Sequence, residues 1–78
     1  MTASTAALLE DALRQVAGPG AEPASLIVDY GVAQDVSTSR AWIERSTRSL
    51  VFAQAEARTE DGNLVATASA VFRRGAQG

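Results

Sequence analysis

The chain has 78 residues, a net charge of −2, and neither cysteine nor histidine. A chain of this length forms one domain and buries only about 60% of the surface that its unfolded form exposes. The missing cysteines exclude disulfides and thiolate metal sites, and the missing histidines remove the commonest metal ligand and general base. We therefore expect one domain over residues 1–78, with no metal or cofactor, that gains stability by assembling with copies of itself.

The charges and the N-terminal segment also narrow the possible partners. Acidic and basic residues are interspersed along the chain, which gives no support for a nucleic-acid surface. The first residues, MTASTAALLEDALRQVAG, carry Glu10 and Asp11 within their apolar run and no basic residue at their start. That pattern is typical neither of a signal peptide nor of a membrane span. We expect a cytoplasmic protein that binds neither nucleic acid nor a membrane.

Residues 5–17 predict a helix, because they are rich in Ala, Leu, Glu, Arg and Gln, which are good helix formers. Ser4 or Thr2 would cap its start. Its apolar stripe consists of Leu9, Ala12, Leu13 and Val16. With about 100° between successive residues, Glu10 falls on the border of this stripe and Asp11 lies nearly opposite it.

Two strands are expected after the helix. A loop is predicted at Gly18, Pro19, Gly20 and Pro23, followed by a strand over 25–32 in which Leu26, Val28, Tyr30 and Val32 share one face. The next strand is predicted over 36–45, with Ala41 and Ile43 on one face and Thr38, Arg40, Trp42 and Glu44 on the other. Tyr30 and Trp42 are interpreted as packing residues, and Asp29 as an exposed carboxylate.

The alternation of residues 48–74 predicts a hairpin. Its arms are joined by an acidic turn over 60–63 that contains Gly and Asn, both tolerant of positive φ. The buried face is predicted to consist of Ser49, Val51, Ala53, Ala55 and Ala57 on the first arm and Leu64, Ala66, Ala68, Ala70 and Phe72 on the second. Because this face is mostly alanine, a helix can approach it closely. The order of elements therefore predicts an α+β fold, with one helix packed on a four-stranded antiparallel sheet.

Several segments resemble the hotdog-fold thioesterases of the phenylacetate-degradation type. They are LIVDY at 26–30, RSLVF at 48–52, EARTEDGNLVATASAVF at 56–72 and LLEDAL at 8–13. The resemblance implies a hotdog-like fold, truncated at the N-terminus because the family's first strand and the glycine turn before the helix are missing. It also implies a homodimer, or a higher homo-oligomer, in which the 25–32 strand pairs with its twin.

The resemblance further implies hydrolysis of acyl-CoA thioesters. The family's catalytic carboxylate falls on Glu10, which would act as general base or nucleophile while amides at the helix N-terminus bind the oxyanion. Arg45, Arg48 and Arg73 would bind the phosphates of coenzyme A, here part of the substrate rather than a cofactor, since guanidinium groups match phosphate oxygens.

Each of these roles has a simpler alternative. Glu10 can form a surface ion pair with Arg14 four residues later, and the arginines can belong to a solvated turn or protect a sheet edge. The whole chain can be a non-catalytic module that oligomerises or binds an acyl ligand. The missing first strand would also leave the 36–45 strand at an edge, protected by Arg40, Glu44 and Arg45 or covered by a second interface.

Overall fold

The computed structural model describes residues 4–31 and 35–74. Its elements are the helix α1 (Thr5–Ala17) and the strands β1 (Ala21–Tyr30), β2 (Thr38–Ser46), β3 (Leu50–Arg58) and β4 (Leu64–Arg74). The strands form one antiparallel sheet in the order β1-β4-β3-β2, and α1 packs on one face of it. The predicted α+β layout, with one helix on a four-stranded antiparallel sheet, is confirmed.

The helix begins and ends where its sequence predicts. The Ser4 hydroxyl accepts a hydrogen bond from the amide of Ala7 at 3.1 Å, which makes Ser4 the cap. Gly18 follows the last turn with a φ of 88°, and its amide donates to the carbonyl of Arg14. Leu9 and Leu13 are fully buried, whereas Asp11 is exposed. The other predicted cap, Thr2, lies outside the described residues. Among the described residues, no helix is long and apolar enough to cross a membrane.

Beneath α1 the sheet presents a floor of alanines. Three cross-strand pairs of β3 and β4 form its centre, namely Ala53 with Ala70, Ala55 with Ala68 and Ala57 with Ala66. All six are buried, and Val51 and Phe72 close one end of the row. Because alanine side chains are short, α1 lies close to the sheet, and its two buried leucines fill the space between them. The predicted buried face of the hairpin is therefore confirmed for these residues. The prediction was wrong for Ser49, which lies in the turn before β3 and is exposed.

The start of β4 departs from simple alternation. Arg58 pairs with Leu64 and Ala57 pairs with Ala66, so Val65 is an extra residue in a bulge. Val65 is buried and Leu64 is 38% exposed. The prediction that Leu64 faces the core was wrong, because a bulge reverses the faces of the residues before it.

The first strand begins four residues earlier than predicted and includes Pro23. Proline lacks an amide hydrogen and is tolerated on an edge strand, and β1 is an edge of the sheet with a bulge between Pro23 and Ser25. Tyr30 is 68% exposed, so its interpretation as a packing residue was wrong. Val32 lies outside the described residues. The second strand is Thr38–Ser46 rather than 36–45.

Both edges of the described sheet are accessible. The prediction that β2 lies at an edge is confirmed, and Arg40, Glu44 and Arg45 are exposed along it. The helix lies closer to β2 and β3 than to β1. As a result, Leu26 and Tyr30 of β1 remain exposed on the same face of the sheet as the helix.

Candidate functional site

Four of the chain's seven basic residues, all arginines, lie at one end of the sheet. Arg45 lies near the end of β2, Arg48 in the turn before β3, and Arg73 and Arg74 at the end of β4. Arg73 pairs with Leu50, the first residue of β3, and this register brings the end of β4 beside that turn. The fold thus gathers the three arginines that the sequence singled out and adds Arg74. We call this group the arginine end.

The turn that carries Arg48 is held by hydrogen bonds. The amide of Thr47 donates to the carbonyl of Leu50 at 2.7 Å, and the Thr47 hydroxyl accepts from the amide of Leu50 at 3.0 Å. Arg74 fastens the turn to β4: its amide donates to the carbonyl of Ser49 at 2.9 Å, and its Nη1 donates to the carbonyl of Thr47 at 3.1 Å. Arg48 is therefore exposed on a short loop with a defined backbone.

Arg73 and Arg74 form a basic pair at a strand end in the sequence, but only Arg73 is among the predicted site residues. The available signal was the pair of adjacent arginines at a strand end, since neighbours in a strand point to opposite faces. Phe72 is buried on the helix side of the sheet. Because side chains alternate along β4, Arg73 points away from α1 and Arg74 lies on the same side of the sheet as α1. Arg45 shares the face of Arg73, and its guanidinium lies 5.8 Å from the centre of the Phe52 ring.

Few carboxylates neutralise the positive charge of the arginine end. Within the part of the chain that the structure describes, none of its four arginines forms a salt bridge. Glu22 pairs in register with Arg73, and Glu44 precedes Arg45 in the bulge of β2. Guanidinium groups without carboxylate partners can bind phosphate oxygens through paired N–H donors.

Glu10 lies elsewhere, in the middle of α1. Its Oε2 accepts from Nη2 and Nε of Arg14 at 2.8 and 3.0 Å, and the Glu10 side chain is 39% exposed. The surface ion pair with Arg14 is therefore present. Gly18 is eight positions after Glu10, which corresponds to about 12 Å along the helix axis. Since the chain passes from Gly18 into the start of β1, opposite Arg74, Glu10 lies about two turns away from the arginine end.

The N-terminus of α1 offers backbone donors but few side chains. The cap uses the amide of Ala7, and the amide of Leu8 donates to the carbonyl of Ser4. The amides of Thr5 and Ala6 are left to point out of the helix end, as in any helix. These are the two donors that an oxyanion would meet there.

No cluster of three metal-ligating side chains occurs in residues 4–31 and 35–74. The sequence matches no protein-family model, and comparisons with curated proteins and with solved structures give no match.

Proposed function

We propose that this chain is a hotdog-like module that binds acyl-CoA as a homodimer. The observation that carries the proposal is the arginine end, where four arginines on both faces of the sheet lie around one structured turn without salt-bridge partners among the described residues. Coenzyme A carries a diphosphate and a 3′-phosphate at one end and its thioester at the other. The phosphates fit the arginine end, and the extended arm then leads toward α1.

The acyl chain has an apolar surface to follow. The helix covers β2 and β3 better than β1, and Leu26 and Tyr30 stay exposed on the helix side of β1. Arg48 at the turn and Arg74 on the helix side are the two arginines nearest this path. Arg45 and Arg73 extend from the opposite face, so we expect them to contribute less to phosphate binding.

The homodimer in this proposal forms through β1. This strand has ten residues and a free edge, which a second copy can extend by antiparallel pairing across a twofold axis. A 78-residue chain also gains the buried surface that it lacks alone. A protein that stays monomeric at every concentration in native mass spectrometry would exclude this dimer.

The binding proposal is tested by calorimetric titration of Arg48→Ala with coenzyme A and with an acyl-CoA. We expect about a tenfold loss of affinity, the scale of one lost charge-assisted phosphate contact, and a smaller loss for Arg73→Ala. Asn63→Asp is the matched control, because it changes the net charge equally at the opposite end of the sheet. Equal losses in Arg48→Ala and the control would refute a phosphate site at this turn.

Thioester hydrolysis by Glu10 is the second candidate, and the partial exposure of its carboxylate favours it. Glu10 would take a proton from water as the water oxygen attacks the thioester carbonyl. The carbon–sulfur bond then breaks as Glu10 gives that proton to the leaving sulfur, so the products are a carboxylic acid and the thiol of coenzyme A. Arg14 occupies Oε2, so the base in this reaction is Oε1 or a carboxylate that has left Arg14.

Hydrolysis of a panel of acyl-CoA thioesters separates the two candidates. If Glu10 is the base, Glu10→Gln abolishes turnover and Arg14→Gln does not. Activity that survives Glu10→Gln would remove Glu10 from the mechanism. Tight binding without turnover of any thioester would identify a binding module.

A further inference from the structure

The face of the sheet opposite α1 lacks a covering layer in the described structure, and we call it the open face. Its centre contains Ile27, Trp42, Phe52, Gln54, Ser69 and Val71, contributed by all four strands. Ile27 is 61% exposed, whereas Trp42, Phe52 and Val71 are half-buried. A shallow depression of about 160 Å³ lies beside Ile27, Phe52 and Val71, and the polar residues that line it are Ser25, Glu44, Gln54 and Ser69. A second layer of apolar side chains can fill such a surface.

The strand register arranges the open face in rows that cross the sheet. One row runs from Trp42 through Gln54 and Ser69 to Ile27. The adjacent row starts at Arg45, which pairs with Phe52, and continues to Val71 and Ser25 by the same registers. Each row is therefore a set of four positions, one from each strand, at the same height along the sheet.

A third row carries charges of opposite sign at its two ends. It contains Arg40, Glu56, Thr67 and Asp29 in the order β2, β3, β4, β1. Arg40 lies 3.4 Å from Glu56, which Arg58 also contacts at 3.0 Å, so one carboxylate serves two guanidiniums. The Arg40 side chain is 73% exposed. At the other edge, Asp29 is exposed and forms no salt bridge with any described residue.

A twofold axis close to the direction of the two central strands maps this face onto itself. Rotation about such an axis places β1 of one copy over β2 of the other and β4 over β3. Each row then faces the same row of the second copy. Trp42 meets Ile27, Phe52 meets Val71, and the basic end of the third row meets the acidic end. Long arginine side chains span the offset that arises when twisted sheets pack at about −30°.

The open face is large enough for a specific contact. Four strands about 4.8 Å apart and nine residues long, at about 3.4 Å per residue, give a face of roughly 600 Å². Two such faces together bury about 1,200 Å², the lower limit of specific protein interfaces. Apolar side chains surround the polar pair Gln54 and Ser69 at the middle of the open face, and charged residues lie at its margin. Such a mixture of apolar and polar surface is usual in interfaces that are not obligate.

We propose that the open face binds the open face of a second copy of this chain about this twofold axis, with Arg40 of each copy paired with Asp29 of the other. This contact is separate from the β1 pairing proposed above, which uses backbone groups at the strand edge. The β1 axis lies outside the sheet edge and this axis lies over the sheet centre, so the two axes do not intersect, and both contacts together would build an open-ended array of copies. If only this one forms, the protein is a dimer.

The first test uses Ser69→Arg, which places a long charged side chain at an exposed position in the middle of the open face. Native mass spectrometry over a dilution series should show a monomer if the wild type is the open-face dimer, and the β1-paired dimer if the wild type forms a larger array. Ser39→Arg is the matched control, since Ser39 is exposed on the helix side of the sheet, opposite Ala57. Its mass should stay that of the wild type. Matching circular dichroism spectra would show that both variants fold.

The second test exchanges the two charges. Asp29→Arg and Arg40→Asp should each weaken the assembly, and the double variant should restore it. Within one chain the two residues are three strand spacings apart, about 14 Å, so restoration requires contact between copies. A monomeric wild type, an unchanged mass in Ser69→Arg, or a double variant no better than its singles would overturn the proposal. These results do not depend on acyl-CoA binding, which is measured separately.

Discussion

Truncation of a core leucine of α1 tests the packing of the helix on the alanine floor. Leu13 is fully buried, and the sheet below it presents alanine methyl groups. Leu13→Ala removes a side chain whose neighbours are too short to move into the space. The free-energy cost of such a truncation rises with the volume of the cavity that remains. The destabilisation by Leu13→Ala should therefore lie in the upper part of the range known for buried leucines.

The expected loss of unfolding free energy is about 3–5 kcal/mol. A chain of 78 residues, at 0.05–0.15 kcal/mol per residue, has a total stability of about 4–12 kcal/mol. One substitution on the helix therefore removes a large fraction of the whole. We expect Leu13→Ala to be partly unfolded at growth temperatures.

Urea denaturation measures this loss with two probes. Circular dichroism follows the helix and sheet, and the fluorescence of Trp42, the single tryptophan, follows β2. The two curves should coincide if unfolding is two-state. All samples need the same protomer concentration, because self-association adds to apparent stability.

Gln15→Ala is the control for this experiment. Gln15 is exposed on the same helix, so its replacement should change stability by no more than about 0.5 kcal/mol. A loss below about 1 kcal/mol in Leu13→Ala, with a normal control, would refute the account of a helix held by leucine on alanine.

Three further substitutions probe single contacts. Gly31→Ala should destabilise by about 1–3 kcal/mol in urea, since its Cβ would lie 2.8 Å from the backbone oxygen of Leu64; an unchanged midpoint would contradict that contact. The hydrogen bond from Arg58, assisted by the charges of Arg58 and Arg40 and opposed by desolvation, holds the pKa of Glu56 below its ordinary 4.5. Its stabilisation is therefore complete above pH 4.5 and lost as the pH falls through the folded-state pKa. Wild type should lose more stability than Glu56→Gln on acidification, and parallel pH profiles would exclude this role. Ser4→Ala should lower the free energy of unfolding by about 1 kcal/mol because it removes the helix cap. Ser4→Asp should keep most of the stabilisation that the cap provides, since Asp is also a good cap residue.

Local patterns predicted most of the elements and much of the core. The helix bounds follow from composition and from the cap and glycine at its ends, all read within a few residues. The alternation in β3 and β4 places Ala55 and Ala68 on the buried face, and the structure agrees. The prediction for Leu64 was wrong because a bulge shifts the alternation of faces, and nothing in the residue pattern indicates the bulge.

The candidate site was predictable in its parts but not as a group. Arg45 and Arg48 are close in sequence, and their turn was expected. That Arg73 and Arg74 join them depends on the register of β3 with β4, since residues more than twenty positions apart are brought together by strand pairing. The surface ion pair of Glu10 follows from the spacing of four residues to Arg14.

The amino-acid sequence by itself determined the helix, the hairpin and the alanine face between them, because each depends on periodicity and turn chemistry over short distances. Tertiary structure alone decided the strand order, and with it which edges are free and which charges share a row. Pro23 is a strand residue only because β1 lies at an edge. Arg40 and Asp29 stand at opposite ends of one row only because β4 and β3 lie between them, and no local pattern carries that information.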